Sequence, residues 1–402
     1  MERINLNVIS VSKPVKLRKR GKKFRKNFCS QVRSCSKWYL KYAREPNALL
    51  NLLKWAGLMD ETNKSVRRVL LPTVTALFIL VTLDSIVISV LGAIENPEYQ
   101  LLDLHMSNYI FGLSTWIVLI QRKKFVSTLL RMHHEIRPYV EKKATDTFTY
   151  LISFLPFIST VMFVCTKDRA GITAFLAYGY PVTTPHIQIL VVLFKSIIYN
   201  ILYPIFPNLI IFLLCMLCHR VSRQIRDLTS EVSKFSPEEF SISKQTAVVN
   251  YKRKIDEFLG ILQKVFSLPS FLLCAANFIS CCTHVGWFVW IYTNNEDWAM
   301  EISYIFIFIN STASLLAFLW TAGGLPLDME ALVNEFCKKL QCRLIHRGKA
   351  DEIDLGKGLN EEPSFVLSGC GIVYFRRSTI LSLIASIITY TLLLLNTVHH
   401  GA

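Results

Sequence analysis

Seven stretches of this chain are apolar for close to the length, about 20 residues, that a helix needs to cross the hydrocarbon core of a bilayer. They run roughly over 69–93, 101–120, 147–164, 187–218, 266–291, 302–325 and 379–398. With no water at that depth the backbone has to bond to itself, so each is predicted as a helix and the chain as an all-α, seven-transmembrane protein. The fourth run is long enough to tilt or to extend beyond the bilayer.

The polar connections carry helical signals of their own. Apolar periodicity with charged flanks predicts helical extensions over 221–232, 251–262 and 329–344. Ser236-Pro237-Glu238-Glu239 reads as an N-cap and first helical turn, with Pro at the first position and acids against the positive dipole end. The acidic, Gly-containing stretch 351–362 reads as a loop.

Lys and Arg decide the direction of threading, because basic residues near span ends are retained on the cytoplasmic side. The segment before the first run holds 18, and the second-to-third, fourth-to-fifth and sixth-to-seventh connections hold 7, 9 and 8; the alternate set holds 0, 2, 0 and 0. The N-terminus is therefore expected in the cytoplasm and the C-terminus outside. The organisation that follows is a basic cytoplasmic segment (1–68), six helices with cytoplasmic extensions (69–325), a cytoplasmic anchor and loop (326–378), a last helix (379–398) and an extracellular tail (399–402). The extensions are expected to form a cytoplasmic helical anchor layer.

Composition narrows the class. Hydrophobic residues make up 52% and charged residues only 18%, against roughly a quarter charged in soluble domains, which argues against a soluble enzyme or a disordered chain. A net charge of +16 raises nucleic-acid binding, but residues 1–68 alone carry 18 basic against 4 acidic side chains. The rest is nearly neutral, so no nucleic-acid partner is expected. The stretch 13–26, mostly Lys and Arg, does not read as a cleavable leader. The 11 cysteines are scattered, several inside apolar runs, and read as reduced or buried thiols.

Polar groups at membrane depth are the candidates for function. Asp84 and Lys195 fall at similar depth, either paired with each other or each facing a wet cleft or the interface. The outer halves of the second to sixth runs mix rings with hydrogen-bonding groups: His105, Asn108 and Tyr109, then Phe157, then Tyr199, then Asn277, His284 and Trp287, then Tyr304, Phe308 and Asn310. Such a mixture suits a small organic ligand received between helices; any one ring serves equally as helix packing or interfacial belt. In the last run Ser382, Ala385, Ser386, Thr389 and Asn396 share one helical face. That face either lines a pore, along with Leu392, or packs closely on a neighbour.

No Gly-rich phosphate loop, GxSxG elbow or HExxH helix is present. Cys215 and Cys218 have CxxC spacing without a partner pair, and no metal, cofactor or enzymatic activity is expected.

Phe375-Arg376-Arg377-Ser378, followed by an apolar run ending in Thr389-Tyr390 and five apolar or small residues, resembles the closing signature of insect and arthropod gustatory receptors. That family's pattern is Thr-Tyr, five mostly hydrophobic residues, then Gln-Phe. Asn396-Thr397 stands here in place of Gln-Phe, so the amide is kept one methylene shorter and the aromatic is lost. The resemblance implies a plasma-membrane receptor of chemosensory neuron dendrites. It would be a ligand-gated, non-selective cation channel of four subunits, identical or mixed with related ones, each giving its last helix to a central pore. It implies a tastant pocket among the outer halves of the second to sixth helices and places the amide of Asn396 at the constriction. Insect odorant receptors share the architecture. Two readings from other classes are a seven-span metal-dependent hydrolase, for which His105, His284 and Asp84 are the intramembrane groups, and a transporter coupled through Asp84 and Lys195.

The orientation is directly testable: an epitope tag at Met1 is expected to stay hidden from antibody on intact cells and to appear only after permeabilisation.

Overall fold

A run of apolar residues with no outside partner for its N–H and C=O groups closes them on itself. In the computed structural model nearly every described residue is helical. The structure describes residues 48–59, 64–95, 100–136, 142–165, 169–294, 298–347 and 365–401; the basic 1–47 stretch and the acidic 351–362 loop lie outside them.

The chain forms α1 (Ala48–Trp55), α2 (Lys64–Glu95), α3 (Gln100–Gln121), α4 (Lys123–Ile136), α5 (Lys142–Phe154), α6 (Pro156–Cys165), α7 (Arg169–Leu176), α8 (Pro185–Asn200), α9 (Phe206–Lys234), α10 (Ile242–Asn294) and α11 (Trp298–Arg347). A two-stranded hairpin, β1 (Ser368–Gly369) and β2 (Val373–Tyr374), precedes the last helix, α12 (Arg377–Gly401). Helical stretches stand at all seven expected spans. Five are long and apolar enough to cross a membrane by length and composition among the described residues, namely Val69–Leu91, Lys143–Cys165, Pro185–Lys234, Ile242–Phe288 and Tyr304–Ile345. The other two are α3, with 22 residues, and α12, whose apolar part is Arg377–Leu393.

Two spans are broken where the sequence reading ran them through. The third divides at Pro156, which starts α6. The fourth is interrupted at 201–205, where Tyr203 is extended (φ −150°, ψ 126°) before Pro204. A proline ring crowds the residue before it out of the helical region, and Pro204 and Pro207 remove two helix donors. Asn200, at the end of α8, turns its amide to Thr160 Oγ1 (2.8 Å) and Pro156 O (3.2 Å), so the two breaks are tied together.

The helical extensions are present as continuations of α9, α10 and α11, packed on one another at the basic end of the bundle. Their shared core includes Ile225, Phe258, Leu259, Leu262, Leu332 and Phe336, all fully buried. The segment Ser236–Glu239 is capped as expected, with Ser236 Oγ accepting Glu239 N–H at 3.3 Å, but it does not open the helix. It makes one turn, closed by Glu239 N–H and Phe240 N–H onto Ser236 O, and α10 starts later, at Ile242. Phe240 interrupts the run because it is drawn fully into the core, stacked 6.0 Å from Phe235 and edge-on to Phe336 at 5.2 Å.

α1 and the hairpin were not anticipated. Asp146 of α5 accepts the N–H of Ala48 at 2.8 Å, filling an otherwise open helix N-terminus, and Trp116 Nε1 donates to Ala56 O at 2.9 Å. The hairpin turns through Cys370, Gly371 and Ile372, the first two at positive φ, and Ile372 N–H closes the turn onto Gly369 O at 2.9 Å. It is held to α10 by Gln263, which both donates to Ser368 O and accepts Ser368 N–H, and by Ser267, which accepts Cys370 N–H. The start of α12 is seated against α11 at Gly323, where a Cβ would stand 2.6 Å from Arg377 N. The described cysteines form no disulfides.

Phe240→Ala is expected to cost about 3–5 kcal/mol and to lower the melting temperature of the detergent-solubilised protein. The half-exposed Ile242→Ala, two residues on, should leave it nearly unchanged.

Candidate ligand site and candidate pore helix

The candidate residues gather in two clusters at the end of the bundle away from the basic connections. The first joins α2, the turn after α7, and α8. Asp84 and Lys195 do pair: Lys195 Nζ stands 3.2 Å from both carboxylate oxygens. Tyr178 donates to one of those oxygens and Tyr199 to the other. Lys195 also donates to Leu176 O at 2.7 Å and lies 4.1 Å from the centre of the Tyr178 ring. A cation at the last carbonyl of α7 complements that helix's negative end. Tyr178 reaches the carboxylate because the turn after α7 contains two residues of positive φ, Tyr178 and Gly179, with Gly179 N–H returning to Ala174 O. The bond to Asp84 raises the Tyr178 hydroxyl pKa, so it stays the donor. All the charge in this cluster is matched within it.

Tyr199 extends the cluster inward through rings: Tyr109 lies 5.2 Å from it and Tyr203 6.2 Å from Tyr109. The second cluster lies between α10 and α11. Trp287 stacks flat on Tyr304 at 5.2 Å, with His284 5.9 Å and Phe163 of α6 6.3 Å from the Tyr304 ring. His284 Nδ1 is 2.6 Å from Ser280 O, as an N–H donating to that carbonyl. Ser280 and Ser311 hydroxyls are 3.0 Å apart, and Tyr203 Oη is 3.4 Å from Ser311. Tyr203, placed by the break in the fourth span, is thus the joint between the two clusters.

Of the sequence candidates, Tyr109, Tyr199, His284, Trp287 and Tyr304 fall in these clusters. Asn277 is buried but bonds back to Leu273 O at 2.8 Å. Asn310 pairs with Asn208 at 3.2 Å. Phe308 is half-buried. His105 falls in α3 with its side chain outside the described set. Sequence reading missed Tyr178, Tyr203, Ser280 and Ser311; only Tyr203 carried a local signal, the Pro204 that follows it.

Asn108 stands apart. It is 0% exposed, and among the described residues neither its Nδ2 nor its Oδ1 has a hydrogen-bond partner. Four residues on, on the same face of α3, Gly112 lets the helix close on Leu202 O, 3.1 Å from where a Cβ would be. Thr115, a further turn along, is also buried with its hydroxyl unpartnered. Leaving a buried amide unbonded costs about 1–3 kcal/mol.

α12 packs on α10 and α11 through Ile380, Leu383, Ile387 and Tyr390. Tyr390 lies beside Cys282 of α10. Ser382, Ala385, Ser386, Thr389, Leu392 and Asn396 are all on the exposed side. The small residues are therefore not spent on close packing within the chain. Ser386 and Thr389 bond back to Ser382 O and Ala385 O of their own helix. Exposed on the same helix are Leu381, Ile388 and Leu393.

No protein-family model matches the sequence, and no curated protein matches it. Solved structures do. The chain is similar in fold to the insect olfactory receptor OR5 from Machilis hrabei, with TM-score 0.64 and 13% identity over 87% of this chain and 100% of that one. Its similarity to the same receptor in complex with eugenol has TM-score 0.67 and 13% identity, covering 91% of this chain and 99% of that one. The chain is a multi-pass helical membrane protein with the fold of an insect olfactory receptor.

Lys195→Met is expected to destabilise the protein by about 1–3 kcal/mol, since it leaves a half-buried carboxylate short of its cation. Asp84→Asn combined with Lys195→Met should regain most of that loss; a double-mutant cycle of melting temperatures in detergent reads the coupling.

Proposed function

We propose that the chain is a chemoreceptor subunit of the plasma membrane, forming a ligand-gated, non-selective cation channel that opens on a small organic molecule. The observation that carries this reading is the fold likeness to an insect olfactory receptor along 87% of this chain and the whole of that one. The solved complex of that receptor with eugenol supports a small-molecule ligand for this chain too. Gustatory rather than odorant receptor is the finer reading, supported by Thr389-Tyr390 and the amide at Asn396 in the closing signature.

In this reading the N-terminus is cytoplasmic, and the aromatic clusters lie on the outer side, open to a tastant. Four chains, identical or mixed with related subunits, surround a pore with their α12 helices. The small polar side of α12, exposed in the single chain, faces the axis, with Asn396 at the constriction. Apolar and amide side chains close it by dewetting or narrowness, and splaying of the helices gives cations a wet path.

α10 is the element through which the ligand acts. One of its faces carries Ser280, His284 and Trp287 in the ligand cluster, and the helix packs against the pore helix near Tyr390. A ligand that re-packs Trp287 and Tyr304 shifts α10 against α12, and it biases gating only by its differential affinity for the open state. Taking the gate from mostly closed to mostly open needs about 5.5 kcal/mol, which four weak sites supply together.

The hydrolase and transporter readings fit the side chains less well. His284 is engaged by a backbone carbonyl among rings, and Asp84 is held by Lys195 and two tyrosines, which leaves neither set to bind a metal or a coupling ion.

Expressed alone or with related subunits, the chain is expected to give tastant-evoked cation currents, and Asn396→Ala to alter conductance or gating at unchanged surface expression. Surface-expressed protein silent to a broad tastant panel in both settings would contradict the proposal.

A further inference from the structure

The two clusters contain matched charges and satisfied hydroxyls, and against that background the Asn108 amide is an exception. Its donor and acceptor are both unpartnered at 0% exposure. It sits on α3 beside Tyr109, whose ring is 5.2 Å from Tyr199 and 6.2 Å from Tyr203. It is one turn above Gly112, where α3 touches the broken segment of the fourth span at Leu202. A buried amide keeps this state only at a cost, and a molecule offering it one acceptor and one donor removes that cost.

The surroundings restrict what the molecule is. Asp84 and Lys195 neutralise each other, so that pair offers no unmatched charge to an ionic ligand. Tyr109, the next residue after Asn108 along α3, brings its ring together with those of Tyr199 and Tyr203, and rings favour an apolar or aromatic body. One amide cannot satisfy the many hydroxyls of a sugar, whereas a single hydroxyl both donates to Asn108 Oδ1 and accepts from Nδ2.

We propose that Asn108 is the hydrogen-bonding anchor of a ligand subsite between α3 and the break in the fourth span, selecting a small, uncharged, largely apolar molecule that bears one hydroxyl. The proposal deepens the receptor reading and rests on it for the ligand's role, but its test uses binding alone.

Purified full-length chain in lipid nanodiscs is titrated with benzyl alcohol, para-ethylphenol and octanol and with the methyl ether of each, read by thermal stabilisation and tryptophan fluorescence. At least one alcohol is expected to bind ten-fold or more tightly than its ether. In Asn108→Leu that preference falls to within about two-fold, and the empty variant melts at the same or a higher temperature than the wild type, because the orphaned amide is gone. The proposal is overturned if no alcohol binds the wild type, if the variant keeps the alcohol preference, or if the empty variant melts lower, which would mean that water or protein already satisfies the amide. Alcohol-selective binding without evoked current would leave the subsite standing and remove the channel. Evoked currents indifferent to Asn108→Leu would do the reverse.

Discussion

A polar group inside a bilayer has no solvent to fall back on, and much of the layout of this chain follows from where such groups find their partners. Asp84 is the clearest case. A carboxylate on the first span is matched by Lys195 on the fourth and by Tyr178 and Tyr199, and in being matched it binds α2, the turn after α7 and α8 into one unit. Prolines set the same requirement on the backbone. Pro269 in α10 cannot donate to Val265 O, and Arg122 from the end of α3 donates there instead at 3.1 Å, and to Lys264 O at 2.6 Å. Pro204 breaks the fourth span, and the break delivers Tyr203 to Ser311.

These ties distinguish a densely packed part of the molecule from one held by fewer contacts. At the basic end, the continuations of α9, α10 and α11 share a dense apolar core, and the hairpin pins the root of α12 to α10 and α11. At the other end, helices meet through rings and single hydrogen bonds around a break in one of them. In the proposed receptor a small molecule would enter among these contacts, while the root of α12 stays anchored. α10 spans both regions, and in the proposed receptor it is the element that would link a ligand to the exposed side of α12.

The helical membrane fold was legible because hydropathy and length are local properties of the sequence, and the extensions over 221–232, 251–262 and 329–344 were legible from periodicity. Ser236–Glu239 misled because its cap chemistry was right but the burial of Phe240 overrode it. Asp84 and Lys195 were each visible as misplaced charges, yet their pairing depends on how two spans 111 residues apart pack. Tyr178 lies in a connection and gave no signal, since only the left-handed turn at Tyr178-Gly179 aims it inward. Asn108 was recognisable as a polar group at membrane depth; that nothing answers it is a property of the folded neighbourhood. The hairpin before α12 left a trace in Gly369-Cys370-Gly371, too short to read without the α10 side chains that receive it.

Imaging of single particles of the purified protein in lipid nanodiscs tests the central claim most directly. The expected image is a ring of four chains with α12 at the centre, Ser382, Thr389 and Asn396 turned toward a shared axis. Isolated chains, or an assembly in which the small polar side of α12 faces lipid, would contradict it.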